Sequence, residues 1–327
     1  MCDVGQKVDS QFYQNMVKSE ELPVEDWIDF IDGLKEDYIE SVRPTIAITS
    51  TEPLLYHNLF DFIRYCVNND FPVQLTTNGL LLPRYYNDVL NSCVRDLWVS
   101  IDGDRFVHNM IRGNNCAYEN AISGLRSIAE SKEFMVTGLP NIYINYTISD
   151  ENYYDLNDFM ESISIIPYKL VCFSHLNFVT NEMSVLHNKK YGDIYPSTPT
   201  CISNVNISNI DLDFLEREIE SIRKKYRDVV FSPDIRTYKD LKTFYTEPTL
   251  YVGDNKQCRV PWRASQIFCN GDVGVSTRCF NLSFGNILNE RFSDIWYGKK
   301  FEQFRNSILE TKLGSFPACT RCCGVFS

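Results

Sequence analysis

The chain of 327 residues lacks any apolar run approaching the length of a membrane span, and its opening residues, MCDVGQKVDS, hold no apolar stretch of the kind that begins a secretory leader. It is also short of positive charge. Against 43 Asp and Glu it sets 32 Lys and Arg, a formal net charge of −11, which disfavours a general surface for nucleic acid or anionic membrane. No internal repeat and no low-complexity segment occurs. These absences point to a cytoplasmic chain, in which an Asn-x-Ser/Thr triplet such as Asn206-Ile207-Ser208 has no glycosylation meaning.

What the chain has in quantity is cysteine. Of its twelve cysteines, six fall in the last seventy residues. Cys258 is followed by fifteen residues, then Gly274, four more residues and Cys279. Further on, Cys319 and Cys322 form a C-x-x-C pair with Cys323 directly behind. Two pairs of soft thiolates far apart in sequence can close a tetrahedral sulfur cage around zinc or an iron–sulfur cluster, and spacing alone does not choose between them. Adjacent Cys322 and Cys323 cannot be ranked as ligands by sequence. Cys66 and Cys93 fall on helix faces and read as core packing. Cys116, Cys172 and Cys201 have no partner spacing, and Cys269 reads as a non-ligand.

With 44% hydrophobic residues the chain can bury a full core, arranged as one large domain and a smaller one. Helical spacing of Val24, Trp27, Ile28, Ile31, Leu34 and Tyr38 gives way to a β-rich run, Thr45–Thr49. The alternation then repeats. Strands are expected at Pro72–Thr76, Asp96–Ile101, Asn141–Ile148, Leu170–Phe178 and Val229–Phe231, with helices between them. Such succession argues for parallel βαβ units in an open sheet or a barrel. Residues 180–210, rich in Asn, Ser, Thr and Pro, read as a loop or lid. A helix with Leu212, Leu215, Ile219, Ile222 and Tyr226 on one face follows.

The turns after the strands are weak signals singly and informative in order. Ser50-Thr51-Glu52-Pro53 follows the first strand, Thr77-Asn78-Gly79 the second, and Ser100-Ile101-Asp102-Gly103 closes the third. In parallel α/β folds, ligands bind at the C-terminal ends of strands. The chain resembles the radical S-adenosylmethionine (SAM) superfamily, whose members carry Gly-Gly-Glu-Pro where this chain has residues 50–53. The phrase Val99-Ser100-Ile101-Asp102-Gly103, running on to His108-Asn109-Met110-Ile111-Arg112-Gly113, is similar as well. The C-terminal cysteines, with Pro261-Trp262, Gly285-Asn286 and Ile295-Trp296, resemble the auxiliary-cluster modules called SPASM or twitch domains. The resemblance implies an α/β fold: a partial (β/α)6 barrel over residues 1–235, then a small Cys-rich domain over 236–327.

By that resemblance Glu52 contacts the SAM amino group, and Ser100 and Asp102 lie near the ribose or methionine. Arg112 is a candidate for the SAM carboxylate, where a guanidinium fork suits a planar anion. Asn78 and Gly79 shape the nucleoside pocket through backbone approach. The plainer reading makes Asn78-Gly79 an ordinary turn and Ser100 and Asp102 strand-end caps. Ser50 and Thr51 stand where glycines are expected, which alters the methionine end of the pocket. Cys258, Cys279, Cys319 and Cys322 would ligate one auxiliary [4Fe–4S] cluster. His175, near the end of its strand, either faces the barrel mouth and touches substrate or, as a lone histidine more often does, serves the structure. Tyr143 and Asn145 alternate with Ile142, Ile144 and Tyr146, so one set points inward.

Radical SAM enzymes hold the catalytic [4Fe–4S] cluster with C-x-x-x-C-x-φ-C, φ being apolar. Here Met1 fits φ and Cys2 the third cysteine. On this reading the first barrel strand and two ligands are missing, through truncation or a start codon set too far downstream. SAM cleavage would then be impaired, and the strand at Thr45–Thr49 would expose an unpaired edge. The implied function is reductive cleavage of SAM to a 5′-deoxyadenosyl radical, which abstracts hydrogen from a peptide or small-molecule substrate. A flavodoxin or ferredoxin would donate the electron. The alternative is a non-catalytic metal-binding protein, iron–sulfur or zinc, that keeps the scaffold.

Overall fold

The computed structural model describes residues 21–38, 42–49, 52–200, 206–253, 257–275, 280 and 282–326. The chain forms two compact units. One is Tyr38–His175 with Ile210–Phe231; the other joins Leu176–Asn209 and Ser232–Ser327 to the chain up to Asp37. Among the described residues no helix is long and apolar enough to cross a membrane.

The first unit is built on a six-stranded parallel sheet whose neighbours follow chain order. Its strands are β1 (Ile46–Ile48), β2 (Val73–Thr77), β3 (Asp96–Ser100), β4 (Asn141–Ile148), β5 (Leu170–His175) and β6 (Val229–Ser232). Helices Leu59–Asn68, Leu82–Asn91, Ala117–Ala129, Leu156–Ser162 and Leu212–Lys225 alternate with them. The expected first barrel strand concerns chain at the N-terminus, where residues 1–20 lie outside the described residues.

Strand periodicity makes the sheet two-faced. Leu75, Val99, Ile144, Val171 and Phe173 are buried on one face. Helices cover that face: Phe159 of helix Leu156–Ser162 packs its ring 4.8 Å from Tyr146 and 5.9 Å from Phe173. The opposite face is half-buried and carries Gln74, Thr76, Trp98, Ser100, Tyr143, Asn145, Thr147, Cys172 and Ser174. Trp98 and Tyr143, paired in register, stack with ring centroids 4.7 Å apart. Tyr143 and Asn145 therefore share the open face, and Ile142, Ile144 and Tyr146 face the helices.

The second unit contains a small antiparallel sheet of β7 (Gln266–Ile267), β8 (Asp272–Gly274) and β9 (Gly285–Asn286). So few strand residues bury little, and the core is aromatic instead. Phe280, Phe284, Phe301, Phe304 and Phe316 cluster there with Cys319. Residues 180–210 are not simply a loop. Asn181–Tyr191 is a helix, capped by the Thr180 hydroxyl, which accepts from Met183 N at 3.2 Å. Its buried residues are Met183, Ser184 and His187, while Val185 and Leu186 are exposed, so it lacks the apolar stripe that reveals a helix in sequence.

Helices Leu82–Asn91 and Ala117–Ala129 meet at Gly124, where a Cβ would lie 2.6 Å from Leu82 Cβ and 2.9 Å from its backbone carbonyl carbon. Helix propensity alone favours Ala over Gly by about 1 kcal/mol, whereas overpacking a well-filled site costs about 1–3 kcal/mol. Because the clash includes backbone, overpacking wins. Gly124→Ala should lower the urea midpoint, by about 1 kcal/mol net; a midpoint raised or unchanged would show that the helices separate freely.

Candidate functional site

The loops after β1 and β2 are tied by one carboxylate. The chain leaves β1 into a 3₁₀ turn, Pro53–Leu55, with Glu52 at its N-cap. Glu52 Oε1 accepts from Leu54 N at 3.1 Å and from Thr77 Oγ1 at 2.7 Å, and Oε2 accepts from Asn78 N at 2.8 Å. A carboxylate offers about four acceptor positions, so Oε2 keeps one for a further donor. Asn78 closes its own turn, its Oδ1 accepting from Leu80 N at 2.8 Å. Gly79 has φ +80°, and a Cβ there would lie 2.7 Å from Ala121 Cβ. Its glycine thus serves the packing of the protein on itself, which supports the plainer reading of that position. Ser50 and Thr51 lie outside the described residues.

At the end of β3, Asp102 is buried, with one hydrogen bond to each carboxylate oxygen. Its Oδ1 accepts from Thr147 N at 2.9 Å, and Oδ2 accepts from Arg112 Nη2 at 2.6 Å. The Asp102 N–H donates to His108 Nδ1 at 3.0 Å, and its carbonyl accepts from Asn152 Nδ2 at 3.0 Å. Arg112 sits in the last turn of helix Arg105–Arg112, partly exposed, and Nη2 also reaches Ser100 O at 3.4 Å. Nε and Nη1 make no hydrogen bond with described residues. Ser100, in register with Asn145, belongs to the open face. Next to it Asn145 Oδ1 accepts from Ser174 Oγ at 2.8 Å. The structure thus gathers Glu52 with Asn78 and Gly79, and Ser100 with Asp102 and Arg112, at the C-terminal ends of β1–β3.

Sequence reasoning missed the residues that hold this frame. Thr77, Thr147 and Asn152 are unremarkable in sequence. His108 is fully buried, its Nδ1 takes the Asp102 N–H, and burial pushes the imidazole down to about 4. Asp155 accepts from Asp104 N at 2.7 Å, and burial pushes its carboxyl up to about 7. His175 does not face the mouth. It is buried on the helix-covered face, its ring 6.4 Å from that of Phe231, and burial pushes it down to about 3. Strand alternation decides this, since His175 shares the parity of Val171 and Phe173. Cys66 is a buried thiol pushed up to about 12. Cys93 is not core packing: it is exposed, just past the end of its helix, at φ 55°.

In the second unit three thiols converge. Cys258 Sγ and Cys322 Sγ lie 3.4 and 3.7 Å from the position a Gly324 Cβ would occupy. What a Cβ there would strike is Val260 Cγ2, at 2.8 Å, while the two sulfurs would be at ordinary contact distance. Cys319 is buried, and its thiol is held well above its ordinary range by burial first and then by Cys322 and Cys258. Tyr251 closes one side, donating to Phe316 O at 3.0 Å and accepting from Ser315 Oγ at 2.7 Å. Cys279, the side chain of Cys323, and Cys2 lie outside the described residues. Among the described residues alone, no three His, Cys, Asp or Glu side chains complete a metal-binding group. The donor set that is described, thiols in a dry pocket with a glycine between two of them, fits a thiolate-ligated centre.

Residues 258–323 match the SPASM family, an iron–sulfur cluster-binding domain. The chain is 21% identical over 281 residues to a tungsten-containing aldehyde ferredoxin oxidoreductase cofactor-modifying protein of Pyrococcus furiosus, covering 83% of this chain and 71% of that one. It is 22% identical over 291 residues to Fe-coproporphyrin III synthase of Methanosarcina barkeri, covering 81% and 64%. The chain thus spans less than two thirds of the second of these relatives. Among solved structures, Streptococcus suis SuiB matches with a TM-score of 0.61 at 15% identity, covering 94% of this chain and 67% of that one. SuiB bound to S-adenosylmethionine and SuiB bound to precursor peptide SuiA each match at a TM-score of 0.57.

His108 makes the frame sensitive to acid. Its folded value, about 4, lies below the ordinary 6.5, so the unfolded chain takes up the proton first as pH falls. The stabilisation is complete above pH 6.5 and declines toward pH 4, a loss of about 3 kcal/mol for this group. In His108→Gln the amide oxygen can still accept the Asp102 N–H but does not titrate. Urea unfolding at several pH values should show a shallower decline for the variant across that window; equal slopes would remove His108 as a source.

Proposed function

We propose that this chain, a radical SAM protein with a C-terminal SPASM domain, binds S-adenosylmethionine at the C-terminal ends of β1–β4 and uses it to abstract hydrogen from a peptide or small-molecule substrate. The observation that carries this reading is the Glu52 junction, with one carboxylate position open beside the turn that Asn78 forms. That position suits an ammonium group. The unused Nε and Nη1 of Arg112 suit a carboxylate, and Ser100 and Asp102 border the intervening ground. In this division Asp102 acts chiefly by holding Arg112, since both its oxygens already accept hydrogen bonds.

The metal centres fit the same scheme. Cys2 is the chain's own candidate ligand for the catalytic cluster, and Cys258, Cys279, Cys319 and Cys322 are the candidates for one auxiliary [4Fe–4S] cluster within a domain spanning 236–327. When bound, the catalytic cluster and SAM supply one-electron cleavage to a 5′-deoxyadenosyl radical. The chain's part is to orient the reactants and keep water out. A flavodoxin or ferredoxin would deliver the electron. A peptide substrate is supported by the likeness to SuiB in its complex with precursor peptide SuiA. The open face of the sheet suits an uncharged group, with the Trp98–Tyr143 stack and the Asn145–Ser174 pair as its lining.

One observation favours a second reading, a metal-binding protein that keeps the scaffold without cleaving SAM. Asp102 with Arg112, and Glu52 with the Asn78 turn, already pair within the protein and make a frame with no ligand. The two readings part on a measurement. Protein reconstituted anaerobically with iron and sulfide should bind SAM. Glu52→Gln should weaken SAM binding about 10–100-fold, the loss of a hydrogen bond to a charged group. Loaded protein that binds no SAM would leave the scaffold reading; unchanged affinity in a folded Glu52→Gln protein would take Glu52 out of the site.

A further inference from the structure

The two residues inside the C-x-x-C pair, Thr320 and Arg321, are fully buried. A guanidinium has five N–H donors, and each of those of Arg321 goes to a backbone carbonyl. Nε donates to Phe244 O at 2.6 Å, and Nη1 to Leu250 O at 2.7 Å and Thr320 O at 2.8 Å. Nη2 donates to Thr243 O and Glu247 O, both at 2.7 Å. Thr320 Oγ1 adds a bond to Pro248 O at 2.5 Å. Most of these acceptors lie at or just past the end of helix Tyr238–Thr246, where the last turn leaves carbonyls without intrahelical partners. The guanidinium also rests over the Phe244 ring, 5.0 Å from its centroid.

A core-facing leucine could fill the same space, so the charge calls for a reason. A buried cation without a counter-ion is costly, and the negative end of a helix offsets only part of that cost. Among the described residues no carboxylate forms a salt bridge with Arg321; the Glu247 carboxylate favours its charge only from a longer distance. The nearest partners in sequence are sulfurs: Cys319 two residues before it and Cys322 one residue after. Thiolate ligands carry negative charge, and a positive charge nearby stabilises them and raises the reduction potential of the centre they hold.

We propose that Arg321 is the positioning residue of the cysteine-rich site: it clamps the 319–322 loop to the end of helix Tyr238–Thr246 and sets a fixed positive charge beside the sulfur ligands. The proposal rests on reading Cys258, Cys319 and Cys322 as ligands of an iron–sulfur cluster. The two parts of the role separate by substitution. Arg321→Lys keeps the charge and loses the fork that binds five carbonyls. Arg321→Gln loses both. Arg305→Gln is the control, because Arg305 is a charged side chain of the same unit that donates to Pro261 O and Trp296 O, outside the loop.

The experiment reconstitutes each full-length protein anaerobically with iron and sulfide. It measures iron per chain, the electron paramagnetic resonance signal during a dithionite titration, and the melt of the unloaded protein. In Arg321→Gln, iron should be held about 10–100-fold more weakly, and the centre that does form should have a more negative midpoint potential. Arg321→Lys should weaken loading with a smaller shift in potential, and Arg305→Gln should change neither. Wild-type loading and potential in a folded Arg321→Gln protein would overturn the proposal. Should that variant not fold, wild-type loading and an unaltered signal in Arg321→Lys would overturn it instead. If the wild-type protein takes up no iron and sulfide, the reading of the site falls, and the Arg321 assignment with it.

Discussion

The mouth of the parallel sheet depends on a buried carboxylate that is never left unpaired. Asp102 receives an N–H from β4 through Thr147 and a guanidinium from the helix that follows, while its own backbone is held by His108 and Asn152. Losing one partner of such a buried charge costs about 3–5 kcal/mol, here discounted because Arg112 is partly exposed to water. The carboxylate therefore fixes how the β3 loop, β4 and the Arg112 helix meet. Glu52 does the same for the β1 and β2 loops at smaller scale. Polar groups at strand ends would otherwise face water one by one; joined through two carboxylates they form a stable rim.

The cysteine-rich unit solves the reverse problem with a cation. Its sheet is small, its core is a cluster of phenylalanines, and the segment carrying two of its sulfurs is only a short 3₁₀ turn, Pro317–Cys319, with the turn that follows it. A loop of that kind holds a geometry only if its backbone neighbours hold it. Arg321 and Thr320 provide that hold by donating to carbonyls in and just past the last turn of a helix, so one set of hydrogen bonds ties the helix end to the loop. Gly324 then lets the chain pass Val260 closely, beside Cys258 and Cys322.

Much of this architecture was legible in the sequence, because it follows from period. Asn141–Ile148 was readable to the residue, as alternation of polar and apolar side chains over eight positions admits no other element. The order of strands followed from the helices between them. Alternation does not tell which face is covered, and for that reason His175 had two readings. Helix Asn181–Tyr191 was missed because its buried positions include Ser184 and His187 and form no apolar stripe. The proposed site draws on Glu52, Ser100, Asp102 and Arg112, residues whose types announce chemistry. The hydrogen bonds that make them a frame come from Thr77, Thr147 and Asn152, whose role exists only once distant loops are brought together.

What remains open at the rim then defines the ligand it can take. Each strong group there is partly used by the protein: Glu52 keeps one acceptor position, and Arg112 keeps the donors that Asp102 and Ser100 do not occupy. A ligand gains from the rim only if it brings an ammonium to the first and an anion to the second, because any other pairing leaves a charge desolvated and unanswered. The sheet surface beside the rim is lined by Trp98, Tyr143, Asn145 and Ser174, with no charged side chain among them. The frame thus selects by what it has already satisfied as much as by what it leaves exposed.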